Sequence, residues 1–226
     1  MNVLTGWFTK QLATPARVRM VLAGAVIVVA LGAVIASTVD EPDGGVAMSL
    51  GFGLSAPFIA LVFASSAFGD LIERQTLIYL WARPVSRWQL AIAATVVSAA
   101  LASIFTVPLM SALVGIEGVG SVPAAALATF LGTIAYSALF VALGARIPKA
   151  LVWGSMFVLI WEGTIAPAMS GLSRLSVRYY VLSIVPDLEA GSQDEVSAAV
   201  AVVVLLVMAL GGVALTRWIL STREIP

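Results

Sequence analysis

Six long runs of apolar residues, roughly 18–38, 46–69, 88–114, 122–145, 150–169 and 196–219, take up most of this 226-residue chain. A helix needs about 20 mostly apolar residues to cross a bilayer, and each run reaches or approaches that length. The runs are continuous, without the alternation of apolar and polar residues that barrel strands show, so they read as helices. With 61% hydrophobic and 11% charged residues, the chain lies well beyond the roughly 45–50% apolar usage of soluble domains. The expectation is an all-α, polytopic membrane protein of six transmembrane helices, one domain over residues 1–226.

Orientation follows from where the cations fall. If the N-terminus is cytoplasmic, Lys10, Arg17, Arg19, Arg74, Arg83, Arg87, Arg146, Lys149, Arg217 and Arg223 lie inside and only Arg174 and Arg178 outside. Cytoplasmic loops carry the excess of Lys and Arg, so both termini are expected in the cytoplasm and the chain in the plasma membrane. The outer loops are acidic by comparison, with Asp40, Glu41, Asp43, Glu117, Asp187, Glu189, Asp194 and Glu195.

Composition also narrows the chemistry. The 12 Lys plus Arg balance the 12 Asp plus Glu, which gives nucleic acid no electrostatic footing. With no Cys and no His, disulfides, thiol nucleophiles, imidazole bases and the usual zinc or haem ligand sets are excluded. Val34-Ile35-Ala36 resembles a signal-peptide cleavage site, but the apolar run is too long and about 16 amphipathic residues precede it.

Along the chain, residues 1–17 place Leu4, Trp7, Phe8 and Leu12 on one helical face, as an interfacial helix does, with Pro15 expected to end it. Gly51, Gly53 and Pro57 in the second run, and Pro108 in the third, predict bends. Small residues at Ala124, Ala128, Gly132 and Ala135 allow another helix to approach closely, within the chain in preference to between subunits. The connection 170–195 is apolar and aromatic in its middle, which predicts short helices dipping into the outer leaflet or capping a central vestibule. Ser192 and Glu195 form a capping-box pattern before the last run.

The segment between the second and third runs, Asp70 to Trp88, is charged and broken by Pro84. Its polar residues Asp70, Glu73, Arg74 and Gln75 precede Leu77, Ile78, Leu80 and Trp81, a pattern suited to a short helix on the bilayer surface. Pro84 disfavours a helical Arg83, and Ser86 with Gln89 then forms an S-x-x-Q capping box, with Val85 and Leu90 in the staple positions. The third span is therefore expected to start sharply at Ser86, so that a push on the surface helix reaches the bundle with little slack.

Glu73, Thr76-Leu77 and Arg83-Pro84-Val85-Ser86-Arg87 together resemble the corresponding stretch of the permease subunits of type-2 ABC exporters. Length, the N-terminal interfacial helix, six spans and the long connection before the last span extend the likeness over the chain. Trp161-Glu162-Gly163, Leu172-Ser173 and Val177-Arg178-Tyr179-Tyr180 form a second local similarity. The chain departs from the family in Gln75, where Gly is common, and in Ala93-Ala94, where Gly-Lys is common. The resemblance implies a non-enzymatic, channel-forming subunit that works as two copies, identical or paralogous, over two separate ABC ATPase subunits. ATP and Mg would be bound by those partners, and the sequence carries no phosphate-loop motif of its own. On this implication Asp70, Glu73, Arg74, Thr76, Arg83, Pro84 and Arg87 form an ATPase-coupling helix and its corner. Arg83 and Arg87 lock that corner or bind phosphates of membrane lipids; ordinary positive-inside anchoring is the alternative.

Glu162 is the acidic residue well inside a run, roughly 18 Å beyond Ala150 at 1.5 Å per residue. A charge at that depth costs on the order of 2.5–3.5 kcal/mol and calls for a partner or a task. Two roles are open: with Tyr179 and Tyr180, part of the translocation pathway or its gate; or a structural hydrogen bond to a neighbouring helix, to Ser137 or Tyr136. A secondary transporter is a competing reading, although matching inverted halves are not evident. A non-transporting scaffold is another; an intramembrane hydrolase lacks the usual groups. The apolar interior suits hydrophobic or amphipathic cargo.

Overall fold

The computed structural model describes residues 2–38, 45–73, 85–118, 120–168, 170–185 and 196–222, and every regular element among them is helical. Helices α1 (Asn2–Leu12) and α2 (Pro15–Thr38) are followed by a π-helical stretch, Ala47–Ser55, that runs into α3 (Ala56–Glu73). Next come α4 (Arg87–Glu117), α5 (Val122–Arg146) and α6 (Ala150–Met156), the last continued by a second π-helical stretch, Phe157–Ile165. Three short helices, α7 (Ala166–Ala168), α8 (Ser170–Ser173) and α9 (Val177–Leu182), precede the long α10 (Ala198–Thr222).

The fold is all-α, and five of its helices are long and apolar enough to cross a membrane: Pro15–Thr38, Ser49–Glu73, Arg87–Glu117, Val122–Arg146 and Ala198–Thr222. That is the layout of a multi-pass membrane protein. The fifth expected window differs from the other five. Its apolar helix, Ala150–Ile165, rises about 24 Å at 1.5 Å per residue, short of a hydrocarbon core about 30 Å thick.

Helix α5 is the hub, packed against α3, α4 and α10. Between apolar helices in lipid the attraction is van der Waals contact, so close approach decides which faces meet. The space that a Cβ on Gly144 would occupy is filled by the backbone of Ser65 in α3, and on Gly212 of α10 it would lie 2.7 Å from the backbone of Ala138. Ala128 and Ala135 are wholly buried, so the small-residue stripe of α5 serves packing within the chain. Thr106 and Thr133 join α4 to α5 through their hydroxyls at 3.0 Å, a bond worth roughly 0.6 kcal/mol in a membrane interior. Helix α2 stands at the periphery with only Val21 and Gly32 buried.

Pro15 opens α2 and does not close the N-terminal helix, which already stops at Leu12. Proline is favoured at the first helical position because its missing N–H has no partner there in any case. The apolar face of α1 also has a different destination from the lipid surface: Phe8 and Leu12 are fully buried, and Phe8 meets Phe68 edge-on at 5.8 Å.

The bends expected around Pro57 take the form of a π-helical ladder. Gly53-Leu54-Ser55-Ala56-Pro57 and Gly163-Thr164-Ile165-Ala166-Pro167 share the pattern G-x-x-A-P. A proline offers no N–H and crowds the carbonyl four residues back, which is Gly53 in one case and Gly163 in the other. In both, the turn ahead of the proline has slipped by one residue: Ala56 N–H donates to Gly51 O, and Ala166 N–H to Trp161 O. The hydroxyls follow suit, Ser55 to Leu50 O at 2.6 Å and Thr164 to Leu159 O at 3.2 Å. The two stretches pack against each other. Helix α4, in contrast, runs through Pro108 without a break.

Candidate functional site

Three glutamates reach from one helix to the start of another, and together they frame the two ends of the bundle. At the end where α2 begins and α3 finishes, Glu73 Oε1 accepts the backbone N–H of Lys149 at 3.1 Å. Lys149 precedes α6 with φ +55°, a left-handed conformation that costs a non-glycine residue about 1–2 kcal/mol. Pro148 holds Ile147 extended, which stops α5, and the turn then feeds straight into α6. At the opposite end the buried Glu117 accepts N–H groups from Val46 and Ala47, both at 3.0 Å, where the first π-helical stretch begins. A carboxylate is well placed there, since the first N–H groups of a helix lack partners and carry partial positive charge.

Glu162 is the third. It is 1% exposed and accepts from the Ser176 hydroxyl, from Val177 N–H at 3.2 Å and from Arg178 N–H at 3.4 Å. It thus caps α9, whose own N-cap residue is Ser176. Of the two partners expected for it, Ser137 has its hydroxyl buried without a hydrogen bond, whereas the buried Tyr136 hydroxyl faces the Glu162 carboxylate closely enough to interact with it. Arg178, Tyr136, Thr129 and Thr133 line a void of about 10 Å³ beneath α9, about the space of one water molecule. Val177, Val181 and Val185 are buried, and α9 packs against α5 and α10. Tyr180 donates its hydroxyl to Arg174 O at 2.9 Å, and Tyr179 packs edge-on against it at 5.2 Å.

Of the residues assigned to coupling, Asp70 is ion-paired with Arg17 at the start of α2, and Arg17 also donates to Gln11 O at 3.3 Å. This ties α1, α2 and α3 together. Arg87 is the first residue of α4, directly behind Ser86, whose Oγ accepts Gln89 N–H at 3.2 Å. The Ser86 cap stands where the capping-box spelling puts it, with Leu90 buried and Val85 packed against the same core. Arg217 of α10 lies over the Trp88 ring at 4.7 Å. Arg74, Thr76, Arg83 and Pro84 lie outside the described residues, as does the Ser192–Glu195 pattern; the described cap of α10 is Ser197, whose hydroxyl accepts Val200 N–H at 3.4 Å.

A groove runs between α2, α3 and the arm made by α6 and its π-helical continuation. Its inner part, about 460 Å³, is lined by apolar side chains including Val28, Leu54, Phe58, Ile59 and Leu159. Its outer part, about 330 Å³, holds Arg17, Asp70, Glu73 and Lys149. Met20 and Val62 line both, so the two parts meet end to end. Sequence reasoning misses this site, because by sequence Arg17 and Lys149 are only inner cations.

No family model and no curated protein matches the sequence.

Proposed function

We propose that the chain is the membrane-spanning subunit of an ATP-driven exporter, working as two copies over separate ATPase subunits that bind ATP and Mg. The observation that carries this reading is that the connection between α3 and α4 is fixed at both ends. Glu73 ties the end of α3 to the start of α6, and Ser86 and Trp88 tie the start of α4 to its own cap and to Arg217 of α10. A force applied to residues 74–84 would act on α3, α4, α6 and α10 at once.

In this reading the segment is a coupling helix on the cytoplasmic face, and both termini are cytoplasmic in the plasma membrane. Ala150–Ile165 together with α7 makes the fifth of six crossings, and α9 with Glu162, Tyr179 and Tyr180 covers the outer mouth of the pathway. The cations at the Arg17–Lys149 end support that orientation. Cargo of apolar or amphipathic character suits the groove lining.

Copurification of the full chain with ATPases that carry a phosphate loop, followed by hydrolysis assays with lipophilic compounds, tests the proposal. A stable complex whose yield falls in Arg74→Glu and Arg83→Glu variants is expected. If no ATPase is retained, or if both reversals leave the complex intact, the exporter reading fails; proton- or sodium-driven transport by the chain alone would then favour a secondary transporter, and no transport a scaffold.

A further inference from the structure

We infer that the groove between α2, α3 and the α6 arm binds one glycerophospholipid whose headgroup carries a primary amine, with an acyl chain in the apolar part, the phosphate on Lys149 and the ammonium on Glu73. The site has the shape of such a molecule: among the described residues it is a long apolar channel that opens at one end onto charges. Met20, more than half exposed, forms the lip through which a chain enters sideways. The charged mouth is built where α2 begins, α3 ends and α6 begins, the level at which headgroups lie if these helices span a bilayer.

Charge selects among headgroups. Of the four described ionic side chains that line the mouth, Arg17 and Asp70 already satisfy each other. Among the described residues the Lys149 ammonium has no ion pair, and Glu73 uses only Oε1, for the Lys149 N–H, which leaves Oε2 open. One open cation beside one open carboxylate oxygen is the complement of a zwitterion. A phosphate alone would meet Lys149 but also the repulsion of Glu73. A quaternary ammonium has no N–H to give Oε2, whereas a primary ammonium has three. A second copy of the chain laid on α2 would fill the channel and leave the mouth unanswered. The inference requires only that these helices sit in a bilayer and does not rest on the exporter reading.

The test is to equilibrate the purified full chain in mild detergent with equal amounts of phosphatidylethanolamine, phosphatidylglycerol and phosphatidylcholine of the same acyl chains. Bound lipid is then counted by native mass spectrometry. The wild type is expected to keep about one phosphatidylethanolamine per chain, preferred about tenfold over the others, the scale of one charge-assisted hydrogen bond. Glu73→Gln keeps an acceptor for Lys149 N–H and should abolish the preference over phosphatidylglycerol. Gly24→Phe projects a ring into the apolar channel, where a Cβ meets nothing within 4 Å, and should abolish retention of all three lipids while the protein still elutes as a folded species. Equal retention of the three by wild type, a preference for phosphatidylglycerol, or undiminished binding to Gly24→Phe would each overturn the proposal. The exporter reading stands or falls by ATPase copurification, independently of lipid retention.

Discussion

The carboxylate of Glu162 accepts the backbone N–H of Val177 at 3.2 Å, so an acid in one helix holds the first turn of another fifteen residues later in the chain. The acid is 1% exposed, so the hydrogen bonds it accepts come from protein groups packed around it.

Substitution of that acid separates charge from shape. Glu162→Ala strands the Ser176 hydroxyl and two backbone N–H groups, at about 1–3 kcal/mol for each group left buried without a partner. Glu162→Gln keeps an acceptor. Thermal unfolding in detergent, followed by size exclusion of the remaining monodisperse protein, should show a drop of several degrees for Ala and a clearly smaller one for Gln. Equal losses would show that hydrogen-bond acceptance at residue 162 does not hold α9.

Glu117 should control the opening turn of the first π-helical stretch. In Glu117→Ala, hydrogen exchange at Val46, Ala47 and the residues just beyond should accelerate, while exchange in α5 stays as in wild type. The effect is local because the carboxylate holds the backbone N–H groups of Val46 and Ala47, where that stretch begins. Unchanged exchange at Val46 and Ala47 would contradict the cap.

The Arg17–Asp70 pair, with side chains 21% and 28% exposed, should contribute no more than about 1 kcal/mol, as partly solvated ion pairs do. Either reversal alone, Arg17→Asp or Asp70→Arg, should lower the midpoint slightly, and the double swap should recover most of the loss. A double swap no better than the worse single variant would mean that the two residues are not coupled.

Close packing makes a sharper forecast. Gly144→Ala puts a Cβ into the backbone of Ser65, which cannot rotate aside as a side chain can, whereas at Gly24 a Cβ meets nothing within 4 Å. Overpacking typically costs about 1–3 kcal/mol. The Gly144→Ala protein should therefore be markedly less stable than Gly24→Ala, which should match wild type. Equal melting of the two would place α3 and α5 farther apart than described.

How much of this is legible in the sequence depends on whether the partner has a letter. The long apolar helices follow the apolar runs closely, since length and hydropathy alone place them. Ser86 is legible because its partner, Gln89 N–H, is local and the box has a spelling. The glutamates are not: Glu73, Glu117 and Glu162 bond backbone N–H groups 76, 70–71 and 15–16 residues away, and a backbone donor leaves no mark in a sequence. Pro15 misleads because the same ring that stops a helix also starts one, and only the fold tells which. The G-x-x-A-P repeat is spelled out in the chain, yet each copy is ordinary by itself, and only their packing against each other gives the pair a meaning.

That repeat gives two neighbouring rods the same property. A ladder closed every five residues threads more chain through each coil than one closed every four. One residue can be dropped from such a coil and the strain absorbed by reverting to the tighter pitch, so the side chains beyond keep their facing. Among the described residues, 47–55 and 157–165 are thus the two places where the chain can shorten by a residue without turning its lining outward.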